Sequence, residues 1–453
     1  MPQFDLLIRG GTLVRPEGIE KADVAVAGAS VAEVGPEVEG TGKEVIDARG
    51  LHIFPGVIDA HLHFNEPGRA EWEGFATGSA ALAAGGTTLY FDMPLNSHPP
   101  TIDAEAFDLK RSAAEASSVV DFGLWGGLVP GNVEKMDKLV ERGVVGFKAF
   151  MSNSGIEDFP CVDDLTLFEG MERAARLGSL VAVHAENDSI TSMLAQRAVE
   201  EGRTGVRDYL RSRPVTAEVE AIERAILFAG ETRCALHIVH VSSGRGVAMV
   251  AEARARGVDV SCETCAHYLA FTEEDVERIG AVAKCAPPIR GQAEQNALWR
   301  YLADGTLPLV TSDHSPAPAS MKGGSDFFKI WGGISGCQSL LAVLLTDGAA
   351  ARKLALSTIA EVTSGYTARR FGLPTKGRIA PGADADLVLV DLSQSYTLQT
   401  EDLLYRHKHS PYVGKRFQGR VVRTLVRGRT VYRDGKVSNR AGGRFVIPER
   451  KGK

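Results

Sequence analysis

At 453 residues the chain is too long for one ordinary core, so a large domain with a smaller companion is the starting expectation. A hydrophobic fraction of 44%, a charged fraction of 24% and 49 glycines describe a compact chain rich in tight connections and exclude general disorder. The formal net charge of -6, with both signs interspersed, provides no basic stripe for a phosphate backbone and excludes nucleic acid as the expected partner.

The first residues, Met1-Pro2-Gln3-Phe4-Asp5, lack the charged and apolar blocks of a secretory signal, and no apolar run reaches the length of a bilayer span. A cytoplasmic protein without membrane contact is expected. The first fifty residues hold short apolar runs broken by glycine, Asp5-Leu-Leu-Ile-Arg-Gly-Gly and Ala22-Asp-Val-Ala-Val-Ala-Gly, the punctuation of a small β-meander. Asp384-Ala-Asp-Leu-Val-Leu-Val-Asp391 and the run from Val422 to Tyr432 repeat that style at the far end. Neither terminal piece has enough apolar surface for a core of its own. Residues 1–52 and 373–440 are therefore predicted to form one composite β-sandwich domain, with 441–453 a C-terminal tail.

Residues 53–372 alternate short apolar runs with longer stretches at helical spacing, the pattern of repeated βα units. Eight strands are predicted, over 53–61, 87–93, 120–126, 144–150, 180–185, 235–241, 258–263 and 307–313. Intervening segments such as Glu218-Val-Glu-Ala-Ile-Glu-Arg-Ala-Ile-Leu-Phe-Ala read as amphipathic helices. The fold class is α/β, a (β/α)8 TIM barrel with an appended β-sandwich.

Residues of ligand type fall at or near the C-terminal ends of these strands. His61 and His63 end the first, Lys148 lies near the end of the fourth, His184 ends the fifth, His240 the sixth and Asp313 the eighth. One residue separates His61 from His63, so on an extended strand both rings share a face and can share a cation. Singly, each has a bland explanation: a hydrogen-bonded core histidine, a lysine whose head reaches the surface, a helix-capping aspartate. Their convergence on the face where TIM barrels build active sites favours a metal centre. His237 is an odd number of residues from His240 and is expected to face away. His52, His98, His267, His314, His407 and His409 are assigned to loops or to the layer behind the ligands, and Trp299 and Trp331 to packing. The six cysteines are expected as free thiols; Cys262-Glu-Thr-Cys265 has the spacing of a redox or zinc pair but no second such pair.

Pro55-Gly-Val-Ile-Asp-Ala-His61-Leu-His63, Gly146-Phe-Lys148-Ala-Phe, Val183-His184-Ala-Glu, Ile238-Val-His240-Val-Ser-Ser, Cys285-Ala-Pro-Pro-Ile-Arg and Thr311-Ser-Asp313-His-Ser-Pro together resemble the cyclic amidohydrolases, a family that includes allantoinases, dihydroorotases and hydantoinases. The resemblance implies two divalent metal ions, one held by His61, His63 and Asp313, the other by His184 and His240. Lys148, carboxylated by carbon dioxide, would bridge them. Zinc heads the candidates, and the same ligands accept cobalt, manganese, nickel or iron. The resemblance further implies ring opening by a metal-bridging hydroxide, with Asp313 the catalytic base, and a homotetramer.

Within that family, dihydroorotases carry an arginine shortly after the His-x-His pair, where this chain has Asn65. Hydantoinases carry a tyrosine beyond the bridging lysine, where this chain has Met151-Ser152-Asn153. Asp92-Met-Pro-Leu-Asn-Ser, Lys329-Ile-Trp-Gly-Gly-Ile-Ser-Gly and Arg406-His-Lys-His-Ser-Pro-Tyr-Val-Gly resemble the allantoinase branch. The implied substrate is therefore allantoin, a neutral ring with a ureido arm, in contact with Asn65, Asn96, Ser152, Asn153, Ala286, Ser315, Gly332 and Gly333. A broad-specificity hydantoinase or dihydropyrimidinase is the alternative, and a non-catalytic scaffold a more distant one.

Overall fold

Both ends of the chain contribute strands to one nine-stranded sheet in the computed structural model, which describes residues 2–450. Of the expected tail, residues 451–453 lie outside the described residues. Gln3–Arg15 pairs antiparallel with Gly18–Ala27 and parallel with Thr41–Asp47 and His52–Pro55. On its other side His52–Pro55 takes Leu387–Thr397, followed by Arg416–Val426 and Arg429–Arg433. Side chains alternate between faces of a strand, so Leu6 and Ile8, Val24 and Val26, and Leu387 and Leu389 point to one side and pack with Leu13, Ile53 and Leu425. This shared core is the β-sandwich.

The strand expected over 53–61 divides at Gly56. His52–Pro55 stays in the terminal sheet and Val57–Leu62 opens the barrel. A Cβ at Gly56 would lie 2.0 Å from Thr88 Oγ1, so only glycine lets the chain pass between the two layers. The remaining barrel strands are Thr87–Asp92, Asp121–Leu124 continued by Gly126–Gly127, Phe147–Phe150, Leu180–His184, Ala235–Ile238, Val260–Cys262 continued by Thr264–Cys265, and Val310–Thr311. Every strand pair within this set is parallel. The ring closes through a bridge between Leu62 and His314, where the His63 N–H donates to the His314 carbonyl at 2.7 Å. Helices alternate with the strands, and Asp103, Asp163, Asn187 and Ser243 cap four of them by accepting from the backbone three residues on. Among the described residues no helix is long and apolar enough to cross a membrane.

At the N-terminal ends of the strands the last segment of the chain is laid against the barrel. The Arg444 N–H donates to Asp121 Oδ1 at 2.9 Å, Val446 N–H to the Phe122 carbonyl at 2.8 Å and Glu449 N–H to the Gly372 carbonyl at 2.8 Å. Asp121 also receives Lys376 at 2.7 Å and Arg427, tying the third barrel strand to the sandwich.

Candidate active site

The first barrel strand delivers His61 at its end and His63 just beyond it, with ring centroids 5.7 Å apart. Both Nε2 atoms face Asp313 Oδ1, at 3.4 Å from His61 and 3.5 Å from His63. The three ligand atoms lie within 4.8 Å of one another, a group able to hold a divalent ion. Across the barrel, His184 Nδ1 and His240 Nε2 are 3.0 Å apart. Lys148, on the fourth strand, is fully buried and its Nζ has no hydrogen-bond partner among the described residues. His63 Nδ1 and His240 Nδ1 are likewise buried without partners. His240 and Asp313 have φ of 40° and 41°, a left-handed conformation that costs a non-glycine residue about 1–3 kcal/mol and persists where the surroundings hold it. That turn ends regular pairing, which is why the eighth strand spans only Val310–Thr311.

Carboxylates behind the rings fix which nitrogen faces the cavity. His61 Nδ1 meets Glu263 Oε1 at 2.5 Å, and Glu263 Oε2 meets His237 Nε2 at 3.0 Å. His184 Nε2 meets Glu186 Oε2 at 2.8 Å, and Glu186 also pairs with Arg213. His61 is therefore left to present Nε2, and His184 to present Nδ1. Burial pushes the Lys148 ammonium down to about 7, against the pull of Asp313 and Glu263. Burial would raise the Asp313 carboxyl, but His61 and His63 outweigh it and hold it at about 2. Glu186 is held at about 2 despite burial by Arg213 and His184. Burial lowers His63 and His184, and lowers His240 furthest, with His184 and Lys148 adding to it. The floor of the site thus joins His63, His184 and His240, which burial drives toward their neutral forms, to an ionised Asp313 and a lysine poised to lose its proton.

Above this floor opens a cavity of about 460 Å3 lined by His61, His63, His184, His240 and Asp313. Asn96, Asn153, Ala286, Ser315, Gly332 and Gly333 line it too. Asn65 and Ser152 do not: the Asn65 side chain is fully buried and donates to the Pro316 carbonyl at 3.3 Å, and Ser152 is buried behind the wall. His267, assigned from sequence to a loop or to the layer behind the ligands, is buried with neither ring nitrogen partnered among the described residues, and with Cys265 and Asp313 it forms a second group of potential ligand atoms within 4.8 Å. All six cysteines are free. Sequence reasoning passed over Glu263, Glu186 and Arg213; His237, expected to face away from the ligands, meets Glu263 behind His61. Glu186 was within reach, two residues beyond His184 in an extended segment; the contacts of Glu263 with His61 and Arg213 with Glu186 join distant segments and have no local signature.

A model of the amidohydrolase family matches residues 52–431. The chain is 61% identical to an allantoinase of Rubrobacter xylanophilus over 99% of each chain, and 53% identical to an allantoinase of Deinococcus radiodurans over 98% of this chain and 99% of that one. Among solved structures, an L-hydantoinase (dihydropyrimidinase) from Arthrobacter aurescens aligns with a TM-score of 0.96 at 36% identity, covering 98% of this chain and 100% of the other. Fold and site define a barrel hydrolase with a divalent-metal ligand set. The chain belongs to the amidohydrolase family.

Proposed function

We propose that this enzyme hydrolyses the cyclic amide bond of allantoin to give allantoate. The observation that carries the reading is its end-to-end likeness to allantoinases, joined to a cavity whose polar lining suits a neutral ring. His61, His63 and Asp313 would hold one divalent ion, and His184 and His240 a second. The buried Lys148 Nζ, without a hydrogen-bond partner among the described residues, supports that fit, because such an atom is costly to bury without a ligand, as does the convergence of His61 Nε2 and His63 Nε2 on Asp313 Oδ1 and of His184 Nδ1 on His240 Nε2. With its proton held loosely, Lys148 Nζ would add to carbon dioxide and lose a proton, and the resulting anionic carbamate would complete the ligand set. Bound in this site, two ions, zinc first among the candidates, supply a water acidified toward neutral pH and a Lewis acid for the ring carbonyl.

Asp313, ionised and facing both His61 and His63, accepts the proton of the attacking water and passes it to the departing ring nitrogen. Glu263 and Glu186 hold the His61 and His184 rings in place throughout. Asn96, Asn153 and Ser315 at the wall offer neutral donors and acceptors to the ureido arm. A homotetramer in the cytoplasm completes the reading; its free cysteines suit a reducing compartment, and mass measurement in solution tests the assembly. Metal analysis coupled to hydrolysis of allantoin, hydantoin and dihydrouracil tests the substrate. Preference for allantoin is expected; preference for the unsubstituted rings would assign the chain to the hydantoinases.

A further inference from the structure

The loop 328–333 forms one wall of the cavity and rests on two buried lysines. Lys284 Nζ donates to the Ile330 carbonyl. Lys322 Nζ donates to the carbonyls of Trp331 at 3.0 Å and Gly333 at 2.5 Å. Among the described residues neither lysine is within ion-pair distance of a carboxylate, although both are at least nine-tenths buried. An amine buried without a counter-charge is unfavourable, so the carbonyls are its compensation.

A trans peptide unit carries its carbonyl and its N–H on opposite sides. The Trp331 carbonyl held by Lys322 and the Gly332 N–H belong to one such unit, and the N–H is therefore turned away from Lys322. Gly332 lines the cavity, and a Cβ built on it would meet nothing within 4 Å. Its N–H has no acceptor among the described residues, whereas Trp331 N–H donates to Met321 at 3.0 Å and Gly333 N–H to Lys284 at 2.7 Å. Gly333 pins the far side of the loop: its φ is 143°, and a Cβ there would lie 2.2 Å from the Ser315 carbonyl oxygen.

We propose that Lys322 is a positioning residue which, by holding the Trp331 carbonyl, aims the Gly332 N–H into the cavity as a donor to a carbonyl oxygen of the bound cyclic ureide. The proposal rests on the substrate reading above. Lys322 touches no substrate atom, since it lies behind the loop and outside the lining of the cavity. A hydrogen bond on the carbonyl polarises the whole peptide and strengthens its N–H as a donor.

The test is a double-mutant cycle on the metal-loaded enzyme. Lys322→Met is expected to raise KM for allantoin about fivefold to tenfold with kcat within about twofold, and Lys322→Arg to recover most of the loss. Gly332→Pro removes the same N–H directly, so adding Lys322→Met to it should raise KM no further. Unchanged KM in Lys322→Met, a fall in kcat alone, or additive effects in the double variant would overturn the proposal. Should Lys322→Met not fold, Lys322→Gln replaces it in the same cycle. A rise with allantoin that is absent with hydantoin places the acceptor on the ureido arm; equal rises place it on the ring. If the wild type turns over another cyclic amide instead of allantoin, the substrate reading fails while the cycle is run on that compound and still decides the role of Lys322.

Discussion

Lys148 is a buried amine beside His184 and His240, with no hydrogen-bond partner among the described residues. Lys148→Ala is expected to lose bound metal and to lower kcat/KM by about a thousandfold or more, read by elemental analysis beside the allantoin assay. Full metal content with full activity would refute the bridging carbamate. Glu263 accepts from two histidines at once; Glu263→Gln leaves one of them without an acceptor and should weaken metal binding about 10- to 100-fold in a chelator competition. Lys322 titrates at about 7 in the folded protein because burial, and then Lys284, push it down from 10.5. Between those values the unfolded chain binds more protons than the folded one, so this residue's contribution to stability improves as pH rises. The melting temperature of the wild type relative to Lys322→Met should accordingly climb from pH 6 to pH 9. The ligand-type residues were legible because each lies at or near the C-terminal end of an apolar run, and His61 and His63 share a face by simple alternation. The link from His237 through Glu263 to His61 was not, because it joins the sixth, seventh and first strands, whose register no local pattern reveals.

At the scale of elements, the eight βα repeats could be read from alternating apolar runs and amphipathic stretches, whereas strand limits could not. Trp125 interrupts the third strand, where its N–H turns to the Asp92 carbonyl at 3.0 Å, and Asp313 ends the eighth by its left-handed backbone. Gly56 is the sharpest departure, for the apolar residues on both sides of Pro55-Gly56 read as one strand and conceal the change of layer made there. Gly56→Ala forces a methyl into Thr88, and a melting curve should show the loss of about 1–3 kcal/mol typical of overpacking. Unaltered stability would mean that the crossing between sandwich and barrel is softer than its contacts indicate.

For the whole molecule, composition and the matching style of the two termini pointed to a barrel with a composite sandwich. The final segment was less legible: polar and short of periodicity, it is fastened by backbone hydrogen bonds to Asp121, Phe122 and Gly372. Removing residues 441–453 should lower the melting temperature by several degrees and leave KM unchanged, since those contacts lie at the barrel end opposite the metal ligands. A changed KM would show that the two ends of the barrel communicate.

His52–Pro55 lies between a strand from the first fifteen residues and one that begins at Leu387. During synthesis the front half of that sheet therefore leaves the ribosome with an open apolar edge, and its missing neighbour follows more than three hundred residues later. The residues proposed to carry the chemistry, spread from His61 to Asp313, are all made before that edge is sealed. Completion of the sandwich is thus a late checkpoint on a barrel already synthesised, and a stalled or truncated chain would display the unpaired edge by which quality-control factors recognise unfinished protein.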